Sequence, residues 1–364
     1  MSGLGYPALF IGRRTSHKRG GRLIFDVLFD EFPERKELVE IDSTGKHPIL
    51  RSLISEVSSI KRLKKIDTKR IRIVIIQHND LRELGIAILL KLMNSKIYIV
   101  GPLYHIEKDS LNPFKTSLKK ILVLINQKLS LFVYIACINI VITENNDIKK
   151  LLSSYNNGIN VIVKSPGAEK KALNFIASGH LNWRKDVDIL YLGAMSNAKG
   201  VFDFISAIRL LDHFNLTVAI AGFANNKISA EVSREVSKIK TLKVELYFNI
   251  SDDLKFKLLS RSKILVVPSY FEGIPITFYE AMLFRVIVIT YYLPSYQSIL
   301  NRIIVSPAGD IKSISDEIYK TLIKINDFGH FIDDNYTYSS SHTSQIIAKE
   351  IIRDIFSLVE SNNK

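Results

Sequence analysis

The sharpest chemical signal in the chain is a pair of glutamates with seven residues between them. Glu272 and Glu280 lie in I-L-V-V-P-S-Y-F-E-G-I-P-I-T-F-Y-E-A-M. The apolar run ends at Val267, a loop carries Pro268, Ser269, Glu272 and Gly273, and a helix is expected to begin near Pro275, whose fixed φ suits the first helical position. Glu272 then sits at the carboxyl end of a strand, where open α/β sheets bind ligands. Glu280 sits more than one turn into the helix. A carboxylate there can accept from both hydroxyls of a ribose. The backbone N–H groups of the segment Gly273, Ile274, Pro275, Ile276 and Thr277 can face a phosphate or a sugar. The plain alternative is two ordinary surface acids.

A second segment reads D-I-L-Y-L-G-A-M-S-N-A-K-G-V-F-D-F. A strand runs into Gly193, and Lys199-Gly200 opens a helix. Lysine at a helix N-terminus sets a point charge beside free backbone N–H groups and the positive end of the helix dipole, which suits a phosphate. A solvated lysine in a βα turn is the plain alternative. A third segment, L-T-V-A-I-A-G-F, is a strand ending at Gly222. It gains weight only from lying between the other two.

These residues need strands and helices to hold them. Twelve short runs rich in Ile and Val read as strands. Six precede the middle of the chain: Ala8–Ile11, Leu38–Ile41, Ile71–Ile76, Lys96–Val100, Ile138–Ile142 and Asn160–Val163. Six follow it: Asp188–Leu192, Leu216–Ala221, Val244–Tyr247, Ile264–Val267, Val286–Ile289 and Ile303–Val305. Most are too continuously apolar for a one-sided sheet, which points to parallel strands covered on both faces. Between them lie helical stripes such as Leu23, Ile24, Val27, Leu28 and Phe32, or Phe204, Ile205, Ile208 and Leu211. Strand–helix alternation of this kind means doubly wound α/β. A polar break from about Ser165 to Lys185 separates two series. The expected domains are 1–168 and 185–340, both Rossmann-like, with a cleft between them and a final helix in 341–364 packing back across the join.

The order G, K-G, strand-G, P-S, E-G, E-A from Asp188 to Thr290 resembles the C-terminal half of glycosyltransferase family 4, retaining nucleotide-sugar enzymes of GT-B architecture. The downstream I-I-V-S-P-A-G-D is similar as well. In the N-terminal half the resemblance rests on R-R-T-S-H-K-R-G-G-R, on His105 after a strand, and on S-P-G-A-E. It implies a nucleoside-diphosphate-sugar donor on the C-terminal domain. Glu280 would hold the ribose, Lys199 and the amides near Ile274 to Thr277 the diphosphate, and Glu272 the hydroxyls of the transferred sugar. Gly193 belongs to the same donor site. Gly20 and Gly21 would let the N-terminal loop approach the donor, and His105 would meet the sugar or the acceptor. The site must stabilise charge growing on the leaving diphosphate, which lysine, helix N-termini and amides can do without a metal. No cofactor is expected. Two departures stand out. The family's G-R pair reads Gly193-Ala194, and its Gly and Pro after E-A-M read Arg285 and Ile287.

Composition narrows the rest. The 364 residues carry 50 Lys and Arg against 36 Asp and Glu, a net charge of +14. That favours anionic partners. The single Cys137 excludes an intrachain disulfide and a cysteine zinc site. His17, His78 and His105 lack metal-pair spacing, and Asp186-Val187-Asp188 precedes a strand, at the end opposite the expected ligand site. No metal is therefore assigned. No P-loop and no strand-linked G-x-G-x-x-G occurs. The most apolar stretch, Leu129 to Ile142, is too short to span a bilayer. A cytoplasmic protein is expected. Pro113 to Gln127 places Lys115, Lys119 and Lys120 beside Leu118, Ile121, Leu122 and Ile125, with Lys128 next. Such a helix can rest on an anionic membrane, here the inner face, or pack on its own domain with its lysines solvated. The rival functions are a non-catalytic nucleotide- or sugar-binding relative and a basic nucleic-acid-binding protein, the latter carried by charge alone.

Overall fold

The computed structural model describes residues 7–12, 20–33, 36–40, 67, 69–78, 81–103, 118–155, 158–179 and 183–361. They form two compact units, Met1–Ser165 with Ile347–Lys364, and Pro166–Ile346.

The first unit holds a six-stranded sheet. Its strands are β1 (Ala8–Gly12), β2 (Lys36–Glu40), β3 (Ile73–Ile76), β4 (Tyr98–Pro102), β5 (Ile140–Thr143) and β6 (Asn160–Val163). They run parallel in the order β2-β1-β3-β4-β5-β6. The central strands β1, β3 and β5 are buried along their whole length, while β2 and β6 at the edges are not. That is why the central runs are so continuously apolar. The helices are α1 (Gly20–Glu31), α2 (Leu81–Met93), α3 (Leu118–Cys137) and α4 (Asn146–Tyr155). The last helix of the chain, Ser344–Ser361, also serves this unit. Lys164 donates to Glu350 at 2.6 Å, and the rings of Phe32 and Phe356 meet edge to face. The apolar stretch 129–142 is not one element. It divides between the end of α3 and β5, and no helix among the described residues is long and apolar enough to cross a membrane.

The second unit begins with α5 (Lys170–Ala177), inside the stretch expected to be a polar break. Ala172 and the partly buried Leu173, Phe175 and Ile176 pack it on the core, so its polar residues are a solvated face rather than a linker. The sheet follows: β7 (Val187–Leu192), β8 (Thr217–Gly222), β9 (Lys243–Phe248), β10 (Ser262–Val267), β11 (Ile287–Tyr291) and β12 (Ile304–Ser306). Its parallel order is β12-β11-β10-β7-β8-β9. Read from β9, this is the Rossmann order, reversing between β7 and β10. Period-2 alternation splits β7 between two cores. Leu190 and Leu192 meet Phe256, Phe278 and Phe284, whereas Ile189 and Tyr191 meet Phe204 and Ile208. The main helices are α6 (Val201–Arg209), α7 (Asn226–Val236), α8 (Asp252–Arg261), α9 (Ile276–Leu283), α10 (Ile311–Ile323) and α11 (Gly329–Ser341). The partly buried Lys185 donates to Ser262 O and Phe284 O, both at 2.7 Å, and so caps the ends of α8 and α9 with one side chain.

Two glycines bring the strand ends together. A Cβ on Gly222 would lie 1.7 Å from Gly193 O, and one on Gly200, at φ +67°, would lie 1.9 Å from Pro268 O. Neither neighbour is a side chain that can swing away. Gly222→Ala and Gly200→Ala are each expected to destabilise the protein by at least ~2 kcal/mol in urea melts. Gly85→Ala, in α2 with open space around its Cβ position, is expected to gain ~1 kcal/mol by helix propensity.

Candidate active site

The point where the second sheet reverses is where ligands enter folds of this kind, outside the carboxyl ends of the strands. The loop after β7 leaves Leu192, and Gly193 N donates to Ala221 O at 3.1 Å and Met195 N to Phe223 O at 2.8 Å. Residues Asn197–Lys199 then form a short 3-10 turn capped by Ser196, and Gly200 in the left-handed region turns the chain into α6. Tyr191, fully buried, donates its hydroxyl to Ala194 O at 3.0 Å. Burial and the nearby Glu272 push its ionisation up, so it stays a donor. The loop after β10 joins through Tyr270 N, which donates to Ala198 O at 3.0 Å. Tyr270 and Tyr291 both donate to Asp203 on α6, at 2.5 and 2.8 Å. Burial and this carboxylate raise the Tyr270 phenol to about 12.

Lys199 and Glu272 meet in this frame. Lys199 Nζ forms an ion pair with Glu272 Oε1, and both side chains are largely buried. Glu272 Oε2 is buried with no hydrogen-bond partner among the described residues, and so is the Ser269 hydroxyl. Ser295 Oγ donates to Glu272 O at 2.7 Å and fixes the loop. Gly273, Ile274 and Pro275 lead into α9. Pro275, expected at the first helical position, is instead the N-cap, one residue before the helix starts at Ile276, with φ −66° and ψ 134°. It offers no side-chain cap, so Ile276 and Thr277 open the helix at its positive end. An ammonium and a carboxylate thus pair across the loops after β7 and β10, the carboxylate four residues ahead of the N-terminus of α9.

Glu280 lies deeper. It is 0% exposed, and Lys255 Nζ of α8 donates to its Oε1 at 2.7 Å. Its Oε2 has no hydrogen-bond partner among the described residues. Burial pushes the Glu280 carboxyl up, opposed by Lys255. For Lys255, burial pulls down, but Glu280 together with Glu169 and Asp252 pulls up further, and the ammonium is held. The sequence offered Glu280 as a ribose ligand or a surface acid. The structure removes the surface reading. Lys255 is the residue that sequence reasoning missed, since nothing in the spacing of S-D-D-L-K joins it to a carboxylate on another helix.

In the first unit, Gly20 and Gly21 are the opening residues of α1, not part of a loop. The basic segment 13–19 before them and His105 lie outside the described residues, as do the side chains of Lys115, Lys119 and Lys120. His78 follows β3. Its Nδ1 is 3.0 Å from Glu83 Oε1, and its backbone N donates to Glu83 Oε2 at 2.6 Å. Glu83 is buried at the start of α2, so the imidazole is held from one side. Asp186 is bound by Arg261 at 2.9 and 3.2 Å and Asp188 by Lys263 at 2.7 Å. Both lie at the amino end of β7.

Residues 174–324 match the family described as glycosyl transferases group 1. The resemblance read from the sequence therefore holds for this segment at the level of group 1. No curated protein matches the chain. Among solved structures, a trehalose-phosphate synthase (UDP-forming) from Burkholderia vietnamiensis is similar, with TM-score 0.71 and 10% identity over 97% of this chain and 99% of that one. A glycosyltransferase from Rickettsia africae has TM-score 0.67 and 15% identity over 99% of each chain. HepE from Anabaena, in complex with UDP and glucose, has TM-score 0.65 and 12% identity over 96% of this chain and 99% of that one. The fold is GT-B, built of two Rossmann-like units.

The departures now have local accounts. Ala194 is exposed, and its carbonyl serves Tyr191. Arg285 stands at φ +56°, where glycine is unstrained, and its side chain reaches away to Asp333 and over the Tyr336 ring at 4.7 Å. It does not crowd the turn. Arg285→Ala keeps the strain and loses the contacts, whereas Arg285→Gly relieves the strain. The alanine variant is expected to be less stable than the glycine variant by about 1 kcal/mol in thermal or urea unfolding.

Proposed function

We propose that the protein is a family 4 type glycosyltransferase that moves a sugar from a nucleoside diphosphate to an acceptor, with retention and without a metal. The observation that carries this reading is the Lys199–Glu272 pair at the sheet's reversal point, beside the uncapped N-terminus of α9. An arriving diphosphate replaces Glu272 as the partner of Lys199, and the released carboxylate is then available to the sugar hydroxyls. Until then the pair keeps a largely buried cation compensated. The developing negative charge on the leaving diphosphate meets the ammonium and the helix N-terminus, which need no reorganisation. Glu280 accepts from the ribose. Gly193, Gly273, Ile274, Pro275, Ile276 and Thr277 line the donor, and Gly20, Gly21 and His105 act from the N-terminal unit. The UDP bound in the HepE structure supports a nucleotide donor.

Lys199→Ala is expected to weaken UDP or GDP binding by about 1.5–3 kcal/mol, the worth of hydrogen bonds to a charged group. Turnover should fall further, because the charge matters most as the leaving group forms. Calorimetry and a donor-hydrolysis assay with EDTA test both points. Activity that EDTA abolishes contradicts the metal-free mechanism, and nucleotide binding without any transfer or hydrolysis favours the non-catalytic relative.

We also infer that the acceptor side works at an anionic membrane surface, within the cytoplasm. The neighbouring helices α2 and α3 expose apolar side chains among their described residues: Leu92 is 79% exposed, Phe132 72%, and Met93 and Leu129 are exposed as well. Lys128, within α3, and Lys96, in the turn between α2 and β4, are exposed as well. Each lysine near an anionic surface contributes about 1 kcal/mol. Binding to anionic liposomes is expected, with release by salt and loss in a Leu129→Ser/Phe132→Ser variant. Equal sedimentation with neutral and anionic vesicles, or none with either, overturns this reading.

A further inference from the structure

Lys255 is an unusual residue where it stands. It occupies the first turn of α8, the positive end of the helix dipole, where a cation is disfavoured. It is nevertheless mostly buried, with 15% of its side chain exposed. Three carboxylates account for it. Glu280 Oε1 accepts from it at 2.7 Å, Asp252 Oδ1 is 3.7 Å away, and Glu169 ahead of α5 adds to the field. Asp252 is shared with Lys171 of α5, 2.8 Å from its other oxygen. The network thus spans α5, α8 and α9. Its centre is a carboxylate with no exposure at all.

A carboxylate so buried exists as an anion only beside a fixed cation. Two of the charged neighbours, Glu169 and Asp252, oppose its charge, and only Lys255 favours it. The charged groups on other elements against α9 are engaged elsewhere. Asp333 of α11 binds Arg285, and His342 at the end of α11 lies against Tyr338. Neutral Glu280 has one proton to give and one fewer strong acceptor, so it reads a hydroxyl poorly. One oxygen is taken by Lys255. The other has no partner among the described residues. Solvent touches the pair only at Lys255.

We propose that Lys255 is the positioning residue of the ribose contact: its ammonium locks one oxygen of Glu280, keeps the carboxylate charged, and leaves the second oxygen to accept from a ribose hydroxyl. The proposal rests on Glu280 being the ribose ligand. It extends that reading to a residue on another helix and gives α8 a share in recognising ribose over deoxyribose.

The experiment compares UDP with 2′-deoxy-UDP by calorimetry across pH 5.5–9 in the wild type and four variants. The ratio of the two affinities isolates the hydroxyl contact from folding and from the diphosphate. The wild type should prefer UDP by about tenfold, one good hydrogen bond to a charged group. Glu280→Gln should lose the preference at every pH. Lys255→Met and Lys255→Gln should lose it at low and neutral pH, where the uncompensated carboxyl holds its proton, and regain it as the pH rises and the carboxyl ionises. Lys255→Arg should keep it. Lys255→Gln retains donors for Glu280 and keeps the test open if the methionine variant does not fold. A preference that survives in Glu280→Gln overturns the ribose reading itself. A preference lost in Glu280→Gln but unchanged at all pH values in the folded Lys255 variants overturns the role of Lys255 alone. Lowered stability with an unchanged ratio does the same, since it marks a purely structural pair.

Discussion

Everything at the candidate site depends on backbone meeting backbone without side chains between. The loops after β7, β8 and β10 touch at Gly222 against Gly193 and at Gly200 against Pro268, closer than any Cβ allows. Hydrogen bonds from Gly193 to Ala221, Met195 to Phe223 and Tyr270 to Ala198 then lock the three loops into one platform. Only after that closure do Lys199 and Glu272, which are 73 residues apart in sequence, come within bonding distance. Three tyrosines, of which Tyr191 and Tyr291 are buried and Tyr270 is exposed, complete the frame. Tyr191 ties the first loop to its own strand, and Tyr270 and Tyr291 tie the third loop and β11 to Asp203 of α6. A site that must hold geometry to fractions of an ångström is better served by such contacts than by long side chains.

The charges on this platform follow one rule. Each of its two glutamates has a lysine for one oxygen and no hydrogen-bond partner for the other among the described residues. A buried carboxylate with both oxygens satisfied would be a finished structural element. One left half-satisfied costs stability, which a fold tolerates where a ligand completes it. The two pairs differ in depth. Lys199 and Glu272 keep 27% and 21% of their side chains exposed, enough for a competing anion to separate them, whereas Glu280 is wholly buried and Lys255 nearly so. The outer pair can exchange partners during a catalytic cycle. The inner one is held by three elements and is suited to standing still.

How much of this could be read in the sequence depended on distance along the chain. All twelve strands among the described residues were legible, since each is a local run whose neighbours in the sheet do not alter its pattern. The loop-to-helix segment from Glu272 to Glu280 was legible for the same reason. Gly222 was only weakly so, because its meaning lies in Gly193 on another strand. Lys255 was invisible, as a lysine in S-D-D-L-K looks solvated until α8 and α9 pack together. The His78–Glu83 contact was not legible, because the carboxylate reaches the histidine only once α2 turns back on the end of β3. The break near residue 170 misled because α5 shows the solvent a polar face while it packs Ala172, Leu173, Phe175 and Ile176 on the core.

The departures from the family pattern show how a fold absorbs a residue that its local geometry disfavours. At Arg285 the backbone still adopts the left-handed conformation that glycine favours, at φ +56°. The turn between α9 and β11 is therefore imposed by the packing on both sides, by Lys185 capping Phe284 O and by the core around Phe284 and Val286. A non-glycine residue there costs about 1–2 kcal/mol. Arginine recovers part of it outward, through Asp333 and Tyr336 on α11, without intruding on the site. Ala194 is the converse case. Its side chain is too short to reach a phosphate, yet its carbonyl is what Tyr191 holds, so the loop keeps its shape while losing a cation. The positive charge left at the platform then rests on Lys199 and the amino end of α9, which makes the Lys199–Glu272 pair the element whose charge the rest of the site is arranged to control.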